Sequence, residues 1–125
     1  MFLHEDITDK IIAAFYKVYN SLGYGFLEKV YENALIHELN IHGLIATGQF
    51  PVDVFYQDQK VGVYFADIIV DSKIIVEVKA VESIAREHEL QLTNYLKATN
   101  IEIGLLLNFG KKPEFKRKIF TNDIK

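Results

Sequence analysis

The segment DIIVDSKIIVEVK (residues 67–79) sets ionisable side chains among runs of isoleucine and valine. The two apolar runs are typical of strands, because β-branched residues are enriched there, and DSK (71–73) is typical of the turn between them. Asp67, Glu77 and Lys79 lie inside the apolar runs, where burying a charge costs free energy. The segment therefore predicts a β-hairpin with charged side chains at positions that a core would leave apolar.

The length of the turn decides which side chains share a face, since a shift of one residue moves every side chain to the opposite face. With a three-residue loop, Asp67 faces Glu77 and Phe65 faces Lys79. The other face is then wholly apolar and contains Ala66, Ile68, Val70, Ile74, Val76 and Val78. A two-residue turn would mix charge into both faces, so we favour the longer loop.

This register sets two carboxylates side by side, an arrangement that destabilises a sheet and raises at least one pKa of the pair. A divalent cation would remove the repulsion, because Mg²⁺ prefers oxygen ligands. Lys79 projects from the same face as Glu77 and could orient a water or stabilise charge on a phosphate. The alternative is an ordinary solvated sheet face, which the hairpin taken alone favours, since charge on one sheet face is common.

The remaining segments predict helices on both sides of this hairpin. A helical stripe covers residues 5–22 and ends at GYG (23–25), and a second helix ends at Gly43. The later elements are strands at 44–56, 61–70 and 74–80, a helix over about 84–98 capped by Ser83, a buried strand at 101–109 and an edge strand within 111–120. The order ααβββαβ(β) predicts one α/β domain of the α+β type over residues 1–125, with a mixed sheet of four to five strands flanked by helices.

Composition narrows the class of protein. Half of the 125 residues are hydrophobic and a quarter are charged, as in a folded globular domain. The chain has no cysteine, which excludes disulfides and thiolate zinc sites and fits a reducing cytoplasm. We expect a cytoplasmic protein, since no signal-peptide pattern and no run of roughly 20 apolar residues occurs. The net charge of −3 argues against a strongly basic coat for nucleic acid, but it is compatible with a local basic patch.

Polar side chains on the predicted helices add candidates. Glu28 lies in the first turn of the second helix, where it could be a ligand or could simply favour the helix dipole; Tyr31 flanks the same face and by itself is typical of core. His88, Gln91 and Tyr95 have the spacing of one helix face. They suit contacts to phosphate or to a metal-bound water, and they equally suit an exposed face.

A basic run near the end of the sequence comprises Lys111, Lys112, Lys116, Arg117 and Lys118. It could contact a phosphate backbone. The alternative is a solvated, frayed terminus.

Together these motifs resemble the GxxExxY family, small proteins of the PD-(D/E)XK nuclease superfamily. Gly25, Glu28 and Tyr31 supply the naming motif, and the resemblance runs from about residue 7 to about residue 120. The matching elements are GFLEKVY (25–31), the Asp element ADIIV (66–70), the ExK element IIVEVKA (74–80) and the QxxxY helix HELQLTNYL (88–96). Ala66 stands where the superfamily motif has proline, a backbone position rather than a ligand.

The resemblance implies a restriction-endonuclease-like core and a Mg²⁺- or Mn²⁺-dependent phosphodiesterase acting on DNA or RNA. Lys79 would position the attacking water, and Gln91 with Tyr95 would hold a phosphate or order the site. The implied metal ligands are Glu28, Asp67, Glu77 and the carbonyl of Val78.

Two further interpretations stay open. A catalytically silent module of the same fold could bind nucleic acid or a protein partner, and a homodimer is compatible with it; the acidic balance and aromatic residues such as Tyr56 and Tyr64 fit this module. A purely structural domain with a chance cluster of charges is the other.

Overall fold

The computed structural model describes residues 3–125 and contains three α-helices and five strands in the predicted order. In chain order they are α1 (Glu5–Leu22), α2 (Glu28–Ile41), β1 (Ala46–Tyr56), β2 (Gln59–Val70), β3 (Ile74–Lys79), α3 (Arg86–Lys97), β4 (Ile103–Phe109) and β5 (Pro113–Ile119). A 3₁₀ turn, Asn122–Ile124, follows β5. The predicted fold class is confirmed, and the basic tail does form a fifth strand.

The long helices follow the periodicity of the sequence. The buried apolar side chains of α1 recur at helical spacing, at Ile7, Ile11, Ala14, Phe15 and Val18. Gly23 ends α1 with a φ of 70°, and its N–H donates to the Tyr19 carbonyl at 2.8 Å. None of the three helices within residues 3–125 is long and apolar enough to cross a membrane.

The strands form one mixed sheet in the order β1–β2–β3–β4–β5. Neighbouring strands are antiparallel except β3 and β4, which are parallel and connected through α3. Helices α1 and α2 cover one face of the sheet and α3 covers the other, so β3 and β4 are buried almost throughout. The charged residues of β3 therefore lie in the middle of the sheet.

The hairpin between β2 and β3 has the predicted three-residue loop. Asp71 and Ser72 take up the turn with φ values of 52° and 56°. The paired residues are Ile68–Val76, Ile69–Ile75 and Val70–Ile74. The ladder stops there, so Asp67 and Glu77 lie where the strands separate. The predicted facing of Phe65 and Lys79 is not found, because the two strands have diverged before that point.

One residue of the predicted apolar face lies on the other side of the sheet. Ile68, Val70, Ile74, Val76 and Val78 pack beneath α1 and α2 as expected. Ala66 instead packs in the cluster beneath α3, together with Val52 and the partly buried Phe50. The cause is a bend in the β1–β2 hairpin at Gln49, which has a φ of 59° and lies across from Asp67. The expectation for Ala66 was wrong because regular alternation does not survive such a bend.

Gly104 of β4 lies directly against Leu92 of α3. A Cβ there would lie 2.6 Å from Leu92 Cδ1. We expect Gly104→Ala to lower the free energy of unfolding by about 1–3 kcal/mol, since the added methyl overpacks a buried contact. Urea denaturation followed by circular dichroism measures it. Gly62→Ala is the matched control, because a Cβ at Gly62 meets nothing within 4 Å; equal losses in both variants would contradict the expectation.

Candidate functional site

Asp67 and Glu77 are hydrogen-bonded across the gap where β2 and β3 separate. The Asp67 N–H donates to Glu77 Oε2 at 2.6 Å, and the Val78 N–H donates to Asp67 Oδ2 at 2.8 Å. Side-chain oxygens thus replace the backbone pairs of the interrupted ladder. The second oxygen of each carboxylate accepts no hydrogen bond from residues 3–125, which leaves one oxygen of each for a ligand.

Burial controls the protonation of this pair. Glu77 is only 4% exposed, and burial, followed by the charge of Asp67, raises the pKa of Glu77 to about 8. Burial also raises the pKa of Asp67, against the lowering effects of the Val78 N–H and the Lys79 charge. Glu77 is therefore largely protonated at neutral pH when no cation is present. A cation between the two carboxylates would offset the cost of burying both charges.

Helix α2 brings further charges to this point. The charge of Glu28, in its first turn, raises the pKa of Asp67. Glu32 lies one turn later and is buried; its burial and then the charge of Asp67 raise the pKa of Glu32. Lys29 Nζ lies 3.6 Å from Glu32 Oε1, and the Lys29 charge partly offsets the rise in the pKa of both Glu32 and Asp67. Sequence reasoning missed Glu32 and Lys29, although the four-residue spacing of Glu28 and Glu32 indicates a shared helix face.

The donor chemistry fits a hard divalent cation, since Mg²⁺ and Mn²⁺ take carboxylate oxygens. Asp67 and Glu77 present their remaining oxygens at the same gap. Glu28 acts on Asp67 through its charge, but in the described part of the chain no three Asp, Glu, His or Cys side chains stand together in metal-binding geometry. Two of the three predicted carboxylate ligands are thus brought together, and the Glu28 side chain would have to turn toward them.

Lys79 is the last residue of β3 and projects to the same side as Glu77, two residues earlier. Its positive charge lowers the pKa of both Asp67 and Glu77. Across the parallel ladder it pairs with Asn108 of β4. The fully buried Asn108 side chain accepts the Val81 N–H and donates to the Val81 carbonyl, both at 3.0 Å. Asn108 therefore fixes the chain that leaves β3. Sequence reasoning missed Asn108, although an amide side chain inside an otherwise apolar strand indicates a buried hydrogen-bonding role.

Gln91 and Tyr95 line a cleft of about 750 Å³ between α3 and the β1–β2 hairpin. The centroid of the Tyr95 ring lies 5.9 Å from that of Tyr64 on β2. Burial, followed by the charges of Glu77 and Asp67, raises the pKa of Tyr95 to about 12. Its hydroxyl is therefore a stable hydrogen-bond donor at neutral pH. The structure brings Tyr95 close to the carboxylate pair, with Gln91 one helical turn away.

His88 has a structural position that its spacing with Gln91 did not predict. Its Nδ1 accepts the Ala85 N–H at 3.0 Å and so caps the start of α3. Ala85, and not Ser83, is the N-cap residue. His88 does not line the cleft that holds Gln91 and Tyr95.

Tyr31 lies in the core rather than at the site. It is fully buried and stacks on Phe109 with ring centroids 4.3 Å apart. Its hydroxyl donates to the Gly23 carbonyl at 2.7 Å and accepts the Phe26 N–H at 3.2 Å. Tyr31 therefore holds the loop before α2 in place, and its hydroxyl proton is donated to the Gly23 carbonyl rather than to a phosphate. Its support for the site is indirect, through the position of Glu28.

The basic run is divided between the two faces of β5. Lys118 forms an ion pair with Glu89 of α3 at 2.6 Å, whereas Arg117 donates to the Leu3 carbonyl at 2.8 Å. The two neighbours diverge because successive residues of a strand point to opposite faces. The exposed members are Lys111, Lys112 and Lys116. The five residues do not form one continuous strip.

Comparison with known proteins identifies a family. The model of the PD-(D/E)XK nuclease superfamily matches residues 5–118. Among solved structures, the crystal structure of SSO0001 is similar, with a TM-score of 0.56 and 20% sequence identity over 93% of this chain. At that identity the likeness concerns the fold alone, and this chain spans 59% of that structure's chain. No curated protein matches the chain.

Proposed function

Because the chain belongs to the PD-(D/E)XK nuclease superfamily, we propose that it is a metal-dependent nuclease that hydrolyses phosphodiester bonds in DNA or RNA. The observation that carries the proposal is the pair of Asp67 and Glu77 at the gap in the sheet, with the charge of Lys79 acting on both. Gly25, Glu28 and Tyr31 support the narrower assignment to the GxxExxY family.

Asp67 and Glu77 would hold Mg²⁺ or Mn²⁺ through their remaining oxygens, joined by Glu28 and by the Val78 carbonyl. When bound, the cation lowers the pKa of a coordinated water and neutralises charge on the phosphate. Two buried carboxylates with raised pKas support this role, because they gain more from an opposite charge than exposed carboxylates do. Glu32 adds negative charge beside Asp67 and so strengthens the attraction for a cation.

Lys79 and the α3 side chains act on the substrate. The Lys79 ammonium has three donors and can both orient the attacking water and stabilise the charge that develops on the phosphate oxygens. The neutral hydroxyl of Tyr95 and the amide of Gln91 donate to phosphate oxygens from the cleft side. With these roles, the nucleic acid that we propose as the partner lies over the end of β3.

Asp67→Asn tests the metal site directly. We expect wild type to bind Mn²⁺ and the variant to bind it at least about 100-fold more weakly, since losing a charged ligand exceeds the 10–100-fold effect of altering an outer partner. Asparagine can still accept the Val78 N–H, so the fold is retained. Isothermal titration calorimetry without nucleic acid measures this. Asp58→Asn, in the exposed turn between β1 and β2, is the matched control and should bind like wild type.

Cleavage is assayed with plasmid, linear duplex and single-stranded substrates in Mg²⁺ and Mn²⁺. The nuclease function is supported if wild type and Asp58→Asn show metal-dependent cleavage and Asp67→Asn does not. Absence of Mn²⁺ binding by the wild type at millimolar metal contradicts it.

The second candidate function is a catalytically silent module of this fold that binds nucleic acid or a protein partner. Two observations favour it: Glu28 does not stand in ligand geometry with Asp67 and Glu77, and the end of the β1–β2 hairpin exposes Phe55 and Tyr56. The same titration separates the two functions, because a silent module does not need the cation. A homodimer through this hairpin belongs to the second function, and sedimentation equilibrium would reveal it.

A further inference from the structure

The cleft beside the carboxylates combines aromatic and aliphatic surface with side-chain amides. It lies between α3 and the part of the β1–β2 hairpin beyond the bend at Gln49. The side chains that matter for recognition are Phe55, Tyr64, Leu90, Gln91, Asn94 and Tyr95. Its volume of about 750 Å³ is within the range of pockets that enclose small organic ligands. The cleft is therefore large enough for a nucleotide and chemically mixed enough to recognise one.

Tyr95 connects the cleft to the carboxylate pair, because it packs in one cluster with Ala66, the neighbour of Asp67, and with Leu106, the ladder partner of Glu77. The Tyr95 hydroxyl is close enough to Glu77 and Asp67 for both charges to act on it. On the opposite wall, the ring of Tyr64 lies tilted at 45° to that of Tyr95 and remains 52% exposed. A strand whose phosphate lies at Lys79 would thus place its neighbouring base against Tyr64.

The chemistry of the walls suits an unpaired base better than a duplex. Aromatic rings give a base a stacking surface, and the amide of Asn94 offers a donor and an acceptor to a base edge. In a duplex the bases are stacked inside, and the phosphate backbone is what mainly faces a protein. A duplex-binding surface would need a basic strip. This cleft is instead lined by the acidic Asp53 and Glu87 together with Lys97. The exposed lysines of the tail lie elsewhere, on β5 and in the turn before it.

We propose that this cleft binds an unpaired base of a strand whose neighbouring phosphate lies at Lys79, at the end of β3, so that the site selects single-stranded nucleic acid. The statement about substrate selection rests on the nuclease function proposed above; the binding of the base does not.

Fluorescence anisotropy with labelled oligonucleotides in EDTA tests the binding without cleavage. The probes are a short oligothymidylate, an abasic strand of the same length and a blunt duplex. We expect wild type to bind oligothymidylate at least about 10-fold more tightly than the other two, because only it presents unstacked bases.

Tyr64→Ala should weaken oligothymidylate binding by about 5- to 100-fold, the range for loss of one base-stacking ring. Tyr64→Phe keeps the ring and should bind like wild type. Tyr56→Ala is the matched control, since Tyr56 is 65% exposed at the end of β1 and does not line the cleft. Asn94→Ala, on the exposed side of α3, tests the opposite wall and should weaken binding by about 3- to 10-fold. Circular dichroism of each variant verifies that the fold is intact.

The outcomes separate this inference from the nuclease proposal. Tyr64-dependent binding of oligothymidylate supports the cleft even if no substrate is cleaved. Equal affinity of the wild type for strand and duplex, or unchanged binding by Tyr64→Ala, overturns the inference even if cleavage is observed. Failure of the wild type to bind any oligonucleotide also overturns it and leaves the cleft to another ligand, such as a protein segment.

Discussion

Replacing Lys79 by alanine is expected to slow metal-dependent cleavage by about 10²- to 10⁴-fold, the range for removing a group that transfers a proton or stabilises the charge of a transition state. Lys79 is the lysine of β3 and lies on the side of Glu77, and its charge acts on both Asp67 and Glu77. The kcat of the variant should be far below that of wild type and its KM nearly unchanged, because the lost interaction belongs to the transition state.

Three controls make the Lys79→Ala result specific. Lys73→Ala removes a lysine from the exposed turn between β2 and β3 and should cleave like wild type. Calorimetry should show that Lys79→Ala still binds Mn²⁺, since Lys79 is not a proposed ligand. Circular dichroism should show an unchanged fold. Equal cleavage by wild type and Lys79→Ala, at the same background level, would remove the enzymatic interpretation altogether.

The second large effect concerns stability and pH in the metal-free protein. The folded-state pKa of Glu77 is about 8, above the ordinary value of 4.5. A carboxyl whose pKa is raised by folding binds more protons in the native state, so stability falls as pH rises. The contribution is fully present below about pH 4.5 and is lost as the pH approaches 8. The expected loss between these limits is about 3–5 kcal/mol, from 1.36 kcal/mol per pKa unit. The raised pKa values of Asp67 and Glu32 act in the same direction.

Glu77→Gln should remove most of this pH dependence and should be more stable than wild type at pH 8, since its amide oxygen can still accept the Asp67 N–H. Urea denaturation of EDTA-treated protein across this pH range measures both effects. Glu82→Gln, at an exposed carboxylate, is the matched control and should follow wild type. Adding Mn²⁺ at pH 8 should restabilise wild type and not Glu77→Gln. A flat stability profile for wild type would show that Glu77 is ionised without cost.

The sequence predicted the fold well where a local pattern had only one consistent solution. The hairpin of residues 67–79 is an example: polarity separates onto two faces in one register, and that register is the one observed near the turn. The helix ends at Gly23 and Gly43 follow in the same way from backbone chemistry. Alternation failed at Ala66, because the backbone bends at Gln49 and a glutamine in a strand pattern gives no local sign of a positive φ.

For the site, prediction reached the residues of the strands and missed what arrives from elsewhere. Asp67, Glu77 and Lys79 were identified from their unusual places in apolar runs. Glu32 was not, because its proximity to Asp67 depends on the angle at which α2 crosses the sheet. His88 was misplaced for a related reason, since helical spacing cannot show that its ring turns back to cap its own helix.

The interruption between β2 and β3 has a mechanical consequence. Backbone pairing makes a sheet stiff, but at this point the two strands are linked by the carboxylates of Asp67 and Glu77. A carboxylate can rotate about its own side-chain bonds, whereas a backbone pair cannot move without the strand. Beyond the three pairs next to the turn, the outer hairpin is therefore attached to β3 through side chains, and this more compliant joint coincides with the place where the charges of the sheet converge.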